Sequence, residues 1–303
     1  MQTKIIFCHI PKTGGYSLIN WFKKDLKVYE LNDSARAQPL ENQIQKYHES
    51  SVIEIHGGSP QSIDHLRQSV PKARELFISI IRNPVEQFES LCRDAYVHKA
   101  YLDLPLVPRN FTFNDFNSMF AEEYSEFEFN MHQIFNLYYE YWKNIKTSSY
   151  LGEDLKQLER LNGHINSNIN SPVNPDYLFR RNNQFKYLMQ TFGIDIVGQM
   201  LNDKENCILL TTSQLEKQFI WLLLNHPLLK PLTIFSEYEG TYKKSDIEKK
   251  LQLARKNTTP QIKNKKNLRL DTHESFLYTL LNQIDYNIWH SITCQWNRKF
   301  QSN

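Results

Sequence analysis

Two patterns of apolar and polar positions alternate along this 303-residue chain. Short runs rich in β-branched residues, at 4–10, 51–55, 75–81 and 206–210, predict buried strands. Stretches with apolar residues at helical spacing, at 17–26, 60–69, 84–98 and 213–224, separate them. Strands alternating with helices of this length imply parallel strands joined by crossover helices. The expected fold is therefore α/β, a three-layer sandwich around a central parallel sheet. Ligands of such sheets bind outside the carboxyl ends of the strands. Residues 11–17, 56–58 and 82–84 each follow a strand directly and are expected to converge on one crevice.

The middle of the chain departs from this alternation. Residues 96–150 are rich in aromatics, with a predicted helix carrying Phe127, Met131, Ile134, Phe135, Tyr138, Tyr141 and Trp142. Residues 152–175 turn Asn/Ser-rich and read as an irregular connection. The stretch 96–182 is expected to be a helical insertion covering the crevice on the acceptor side, within a single domain spanning 1–303. A final helix over 274–300 places Leu277, Leu280, Leu281, Ile284, Ile288, Ile292 and Trp296 on one stripe, after a basic segment at 255–266.

The net charge of +3 is too mild for general nucleic-acid binding, so no nucleic-acid partner is expected. It fits a small anion held by a local basic cluster. The four cysteines, Cys8, Cys92, Cys207 and Cys294, form no CxxC pair and read as small thiols of a reducing compartment. No run approaches the ~20 apolar residues of a membrane helix. The first strand follows the initial Met closely, so the expectation is a cytoplasmic protein without signal peptide or membrane contact. Oligomeric state is not legible.

Between the first strand and first helix lie Pro11-Lys12-Thr13-Gly14-Gly15-Tyr16-Ser17. A strand turning tightly into a helix leaves several backbone N–H groups aimed at one point, with the positive end of the helix dipole behind them. Such a loop is an oxyanion site, and Lys12 adds a positive charge. Taken alone, a plain glycine turn is the alternative. The Walker A order, G-x-x-x-x-G-K-[ST], is not met, because the lysine precedes the glycines. No kinase HRD or DFG motif occurs either.

The loop resembles the PKTGGTS-type loop of sulfotransferases that use 3′-phosphoadenosine 5′-phosphosulfate (PAPS). A second segment, Arg82-Asn83-Pro84-Val85-Glu86-Gln87-Phe88-Glu89-Ser90, resembles that family's R-[DN]-P-x-E-R-x-x-S signature for the 3′-phosphate. Pro84 suits a first helical turn and Arg82 can fork onto a phosphate. A third feature, His56-Gly57-Gly58, is similar to the His-Gly-His of the heparan-sulfate 2-O-sulfotransferase group, with Gly58 in place of the second histidine. Histidine has the pKa to take a hydroxyl proton near neutrality. Alone, a strand-end histidine is more often structural, and Arg82 and Ser90 read as an ion-pair former and a surface serine.

Near the C-terminus, Arg255-Lys256-Asn257-Thr258-Thr259 resembles the LRKTT-type loop that closes over the cofactor, and Val197-Gly198 with residues 207–224 resemble the strand-helix unit before it. The resemblance implies a P-loop-like fold and sulfuryl transfer from PAPS, leaving PAP, to a carbohydrate or small hydroxylated metabolite. It implies His56 and Lys12 as catalytic groups, no metal, and cofactor contacts from Lys12, Thr13, Gly14, Gly15, Tyr16, Ser17, Arg82, Ser90, Arg255, Lys256 and Thr258. Two residues depart from the pattern: Tyr16 replaces a small hydroxyl residue and Gln87 an arginine. A small-molecule or nucleotide kinase, and an inactive PAPS- or PAP-binding protein, are the rival expectations.

Overall fold

Strand β1, Thr3–Cys8, is buried at every position, as a strand in the middle of a parallel sheet covered on both faces must be. The computed structural model describes residues 3–56, 60–69, 73–97, 131–143, 145, 181–229 and 269–301. After β1 come α1 (Gly15–Asp25), β2 (Val28–Leu31), the short α2 (Asp33–Arg36), α3 (Leu40–Glu49), β3 (Val52–Ile55), α4 (Pro60–Gln68), β4 (Arg74–Ile81) and α5 (Pro84–Val97). Then follow α6 (Met131–Lys143), α7 (Asn183–Leu201), β5 (Cys207–Thr211), a 3₁₀ turn (Thr212–Gln214), α8 (Leu215–Asn225), α9 (Thr272–Leu281) and α10 (Gln283–Gln301).

The five strands form one all-parallel sheet in the order β2-β3-β1-β4-β5. Helices flank it, consistent with a three-layer sandwich. The four expected strands are present within one or two residues at most ends. The short β2 was not expected. It lies at the sheet edge, where its burial alternates, and four residues carry too little pattern to stand out. From β1 the chain crosses to β2 on one side, and from β4 to β5 on the other. The loops after β1 and β4 therefore part company, leaving a crevice between two neighbouring strand tips.

The core joins the strands to Leu18, Ile19, Trp21 and Phe22 of α1, and to Phe219, Leu222 and Leu223 of α8. Trp21 and Phe22 meet Phe219 edge-on. One buried cation belongs to the scaffold. Lys4 Nζ donates to the carbonyls of Tyr47, His48 and Ser50 at 2.6, 3.0 and 2.7 Å, closing the C-terminal end of α3 against β1.

Three expectations change. Val197 and Gly198 lie inside α7, not in a strand; the earlier bend of that helix is at Gly193, with φ +74°. The terminal helix is two helices, broken at buried Asn282. That side chain accepts from Asn182 N–H and donates to Tyr138 Oη and the Tyr278 carbonyl. Of the apolar stripe, Ile292 and Trp296 are buried, whereas Leu280 and Ile284 are exposed. In α6, Phe135, Tyr138 and Trp142 are buried, and Tyr138 packs on Phe88 and Tyr278. These rings are core. Among the described residues no helix is long and apolar enough to cross a membrane.

Candidate functional site

The loop after β1 is shaped by donors on its neighbours. Gln87 Nε2 donates to the Pro11 carbonyl at 3.0 Å, Arg82 Nη1 to the Lys12 carbonyl at 3.2 Å, and Thr212 Oγ1 to the Thr13 carbonyl. Three successive carbonyls are thus drawn back by β4, α5 and the turn after β5. A trans peptide sets each N–H opposite the preceding carbonyl, so the amides of Lys12, Thr13 and Gly14 point away from these anchors. Lys12 and Gly14 have positive φ, +63° and +91°, breaking the extended pattern in which successive carbonyls would alternate in direction. Thr13 is fully buried and its Oγ1 donates to the Ile10 carbonyl at 2.9 Å. The helix then begins, and Ser17 N–H already donates to Gly14 O at 3.1 Å. That amide is spent in the first turn, so Ser17 does not offer its N–H to the loop. The Tyr16 ring is about half exposed beside the loop.

Gln87, which departs from the family signature, is 2 % exposed and serves the loop directly. An arginine there would carry a charge into this buried position, whereas the amide meets one carbonyl at no electrostatic cost. Arg82 also bonds Glu86 through Nε at 3.1 Å. Its backbone is gripped at both N–H and C=O by the Gln184 side chain, at 2.7 and 2.8 Å. Asp285 in turn accepts from the N–H groups of Gln184 and Phe185 at the start of α7. Burial pushes the Asp285 carboxyl up to about 6 despite those two donors. Ser90 is buried within α5.

His56, at the tip of β3, reaches the same place by a route the sequence did not disclose. Its Nε2 lies 2.9 Å from Glu54 Oε1, and His9 Nδ1 lies 2.6 Å from the same oxygen. The two imidazole rings are 4.6 Å apart. Burial pushes the Glu54 carboxyl up, but the hydrogen bonds from His56 and His9 outweigh it and bring it down to about 2. Burial likewise lowers the His9 pKa, against the pull of Glu54. Thus Glu54 is a carboxylate and His9 a neutral ring at neutral pH. His9 leads directly into the loop and packs against Gly15, where an added Cβ would lie 2.5 Å from the ring. One signal could have found this group. Glu54 is a carboxylate inside the apolar run Val52-Ile53-Glu54-Ile55, and a charge buried in a strand needs a partner.

The donor set of His9, Glu54 and His56 would also suit a cation, since its ligand atoms lie within 4.8 Å of one another. The separations argue for hydrogen bonds, however. Ligands about 2.0–2.1 Å from a tetrahedral zinc stand roughly 3.3 Å apart, against 2.6 and 2.9 Å here. A second grouping, His132, Asp271 and Glu274, is a helix start. Asp271 and Glu274 form a reciprocal capping box on α9.

A cavity of about 830 Å³ opens at Arg82 between α5 and α9, lined also by Arg93, Arg269, Glu86, Glu89 and Tyr286 among others. A larger one, about 1020 Å³, lies at the amino ends of β4 and β5, away from the strand tips, and its Arg67 is already paired with Glu75 at 2.6 Å. The structure thus brings Lys12, Thr13, Gly14, Gly15, Tyr16, Ser17, Arg82 and His56 to one end of the sheet. Gly58, Arg255, Lys256 and Thr258 lie outside the described residues. Compared with known proteins, the chain matches no family model, no curated protein and no solved structure.

Proposed function

We propose that this chain is an O-sulfotransferase on a P-loop-like fold, moving the sulfuryl group of PAPS to a hydroxyl of a carbohydrate or small hydroxylated metabolite. One observation carries the reading: a loop with three carbonyls tied back and its amides turned outward stands at the sheet's switch point, beside a histidine paired with a buried carboxylate. The amides and Lys12 suit the 5′-phosphosulfate. Arg82 and the cavity beside it suit the 3′-phosphate, with Ser90, Arg255, Lys256 and Thr258 assigned there by resemblance.

In the reaction the acceptor oxygen forms a bond to sulfur as the bond from sulfur to the bridging phosphate oxygen breaks, in line. His56 takes the acceptor proton. The loop amides and Lys12 stabilise charge growing on the departing phosphate, which becomes PAP. No step calls for a metal.

Thermal shift with PAP, against ATP and magnesium, tests the reading, since only a true ligand raises the unfolding temperature. PAP is expected to stabilise the chain. Stabilisation by ATP and magnesium alone would favour a kinase, and PAP binding without transfer to any acceptor would favour an inactive binding protein. His56→Ala should lower turnover by roughly 10²–10⁴-fold with PAP affinity preserved. Unchanged turnover would remove His56 from the chemistry.

A further inference from the structure

We infer that Glu54 is a positioning residue that fixes the tautomer of His56, so that Nδ1 of His56, and not Nε2, receives the acceptor proton. The inference rests on the sulfuryl-transfer reading. It begins from the 2.9 Å contact between His56 Nε2 and Glu54 Oε1. A carboxylate only accepts, so the ring atom facing it must carry the hydrogen. A neutral imidazole has a single N–H. With that hydrogen at Nε2, the lone pair is at Nδ1. The arrangement is the reverse of the serine-protease triad, where the carboxylate holds Nδ1 and Nε2 acts as base.

His9 keeps this tautomer in place. Its Nδ1 is 2.6 Å from the same Glu54 oxygen and donates to it, so its Nε2 edge is the one turned against Gly15. Burial keeps His9 neutral, and a second positive ring 4.6 Å from His56 would oppose protonation there. With His9 excluded, the ring that receives the acceptor's proton is His56. His56 is also the more exposed of the two rings, its side chain 38 % accessible against 11 % for His9. When Nδ1 accepts the hydroxyl proton, the ring becomes an imidazolium whose Nε2–H bonds a carboxylate, a charge-assisted contact that strengthens as the proton arrives. The proton then leaves from Nδ1 to water. Glu54 gains and loses none.

The test is nitrogen NMR of the full chain with ¹⁵N-labelled histidine and bound PAP, near neutral pH. His56 should show a protonated Nε2 and an unprotonated Nδ1, and His9 a protonated Nδ1. Glu54→Gln should abolish that preference at His56 and lower kcat by roughly 10–100-fold, with PAP affinity within about twofold of the parent. A merely structural role for Glu54 would change affinity and kcat together and leave the tautomer as it was. If Glu54→Gln does not fold, the parent spectrum still decides. A protonated Nδ1 on His56 overturns the inference, whatever the activity. So does stoichiometric zinc that shifts His9 and His56 together, which would make the cluster a metal site. A parent chain with the expected tautomer that binds PAP and transfers nothing would sink the sulfuryl-transfer reading and not the tautomer.

Discussion

Gly15 should tolerate no side chain, and the reason is steric. An added Cβ would lie 2.5 Å from His9 Cδ2, 2.8 Å from Nε2 and 3.1 Å from Cγ. Backbone strain does not contribute, because Gly15 is not among the positive-φ residues. The His9 ring has little freedom to move: it is 8 % exposed, bonded to Glu54 and packed on His56. The loop has little either, with the carbonyls of Pro11, Lys12 and Thr13 all held. Overpacking of this kind costs about 1–3 kcal/mol. Displacing His9 from Glu54 adds about 1–3 kcal/mol for a buried partner left unmet. Gly15→Ala is therefore expected to lose ~2–6 kcal/mol in urea unfolding, read as a lower midpoint at unchanged slope.

Gly198→Ala is the control. Nothing lies within 4 Å of its added Cβ, and in a helix interior alanine should gain roughly 0.5–1 kcal/mol. A double-mutant cycle isolates the cause. In a His9→Ala background the ring is gone, and Gly15→Ala should then be nearly neutral, giving a coupling of ~2–6 kcal/mol. An equal cost in both backgrounds would refute the steric argument and with it the packing of His9 beneath the loop.

Three further outcomes follow from the same contacts. Lys4→Met leaves the carbonyls of Tyr47, His48 and Ser50 buried without a donor and should destabilise the fold by ~2–4 kcal/mol in urea; a near-neutral result would mean water replaces the ammonium. Glu54 is held near 2 in the folded chain against 4.5 for its ordinary value. Its contribution of about 3 kcal/mol is therefore complete above pH ~4.5 and fades as pH falls towards 2. Acid unfolding should become shallower over that window in Glu54→Gln, and an unaltered curve would contradict the depressed carboxyl. Gln87→Ala frees the Pro11 carbonyl and should cost about 1–2 kcal/mol of stability, together with weaker PAP binding by calorimetry; full affinity would show that the loop keeps its shape without this anchor.

Much of the site was legible because its residues are local in sequence. The loop from Pro11 to Ser17 and the segment from Arg82 to Ser90 each join a strand to a helix, and period and composition mark such joints directly. The joining of the two was not legible. Arg82 was expected to face a phosphate, yet it also holds the Lys12 carbonyl 70 residues away, and Gln87 read as a lost charge although it is an anchor. The break at Asn282 was hidden for a similar reason. The apolar period runs on through it, while the side chain that breaks the helix is committed to Asn182 and Tyr138, more than 99 residues distant.

Sequence alone determined the alternating strands and helices, the glycine loop between β1 and α1 and the presence of a histidine at the tip of β3, because each depends on neighbours within a few turns of chain. Tertiary structure decided which polar groups meet. His9 and His56 are 47 residues apart, and they share one carboxylate only because β1 and β3 pair in a register that sets Cys8 beside Ile55. Strand register is fixed by burial of whole faces across the sheet, a property no single segment carries. The loop's shape was implied by its glycines, but the direction of its amides was settled by side chains that only the folded sheet brings near.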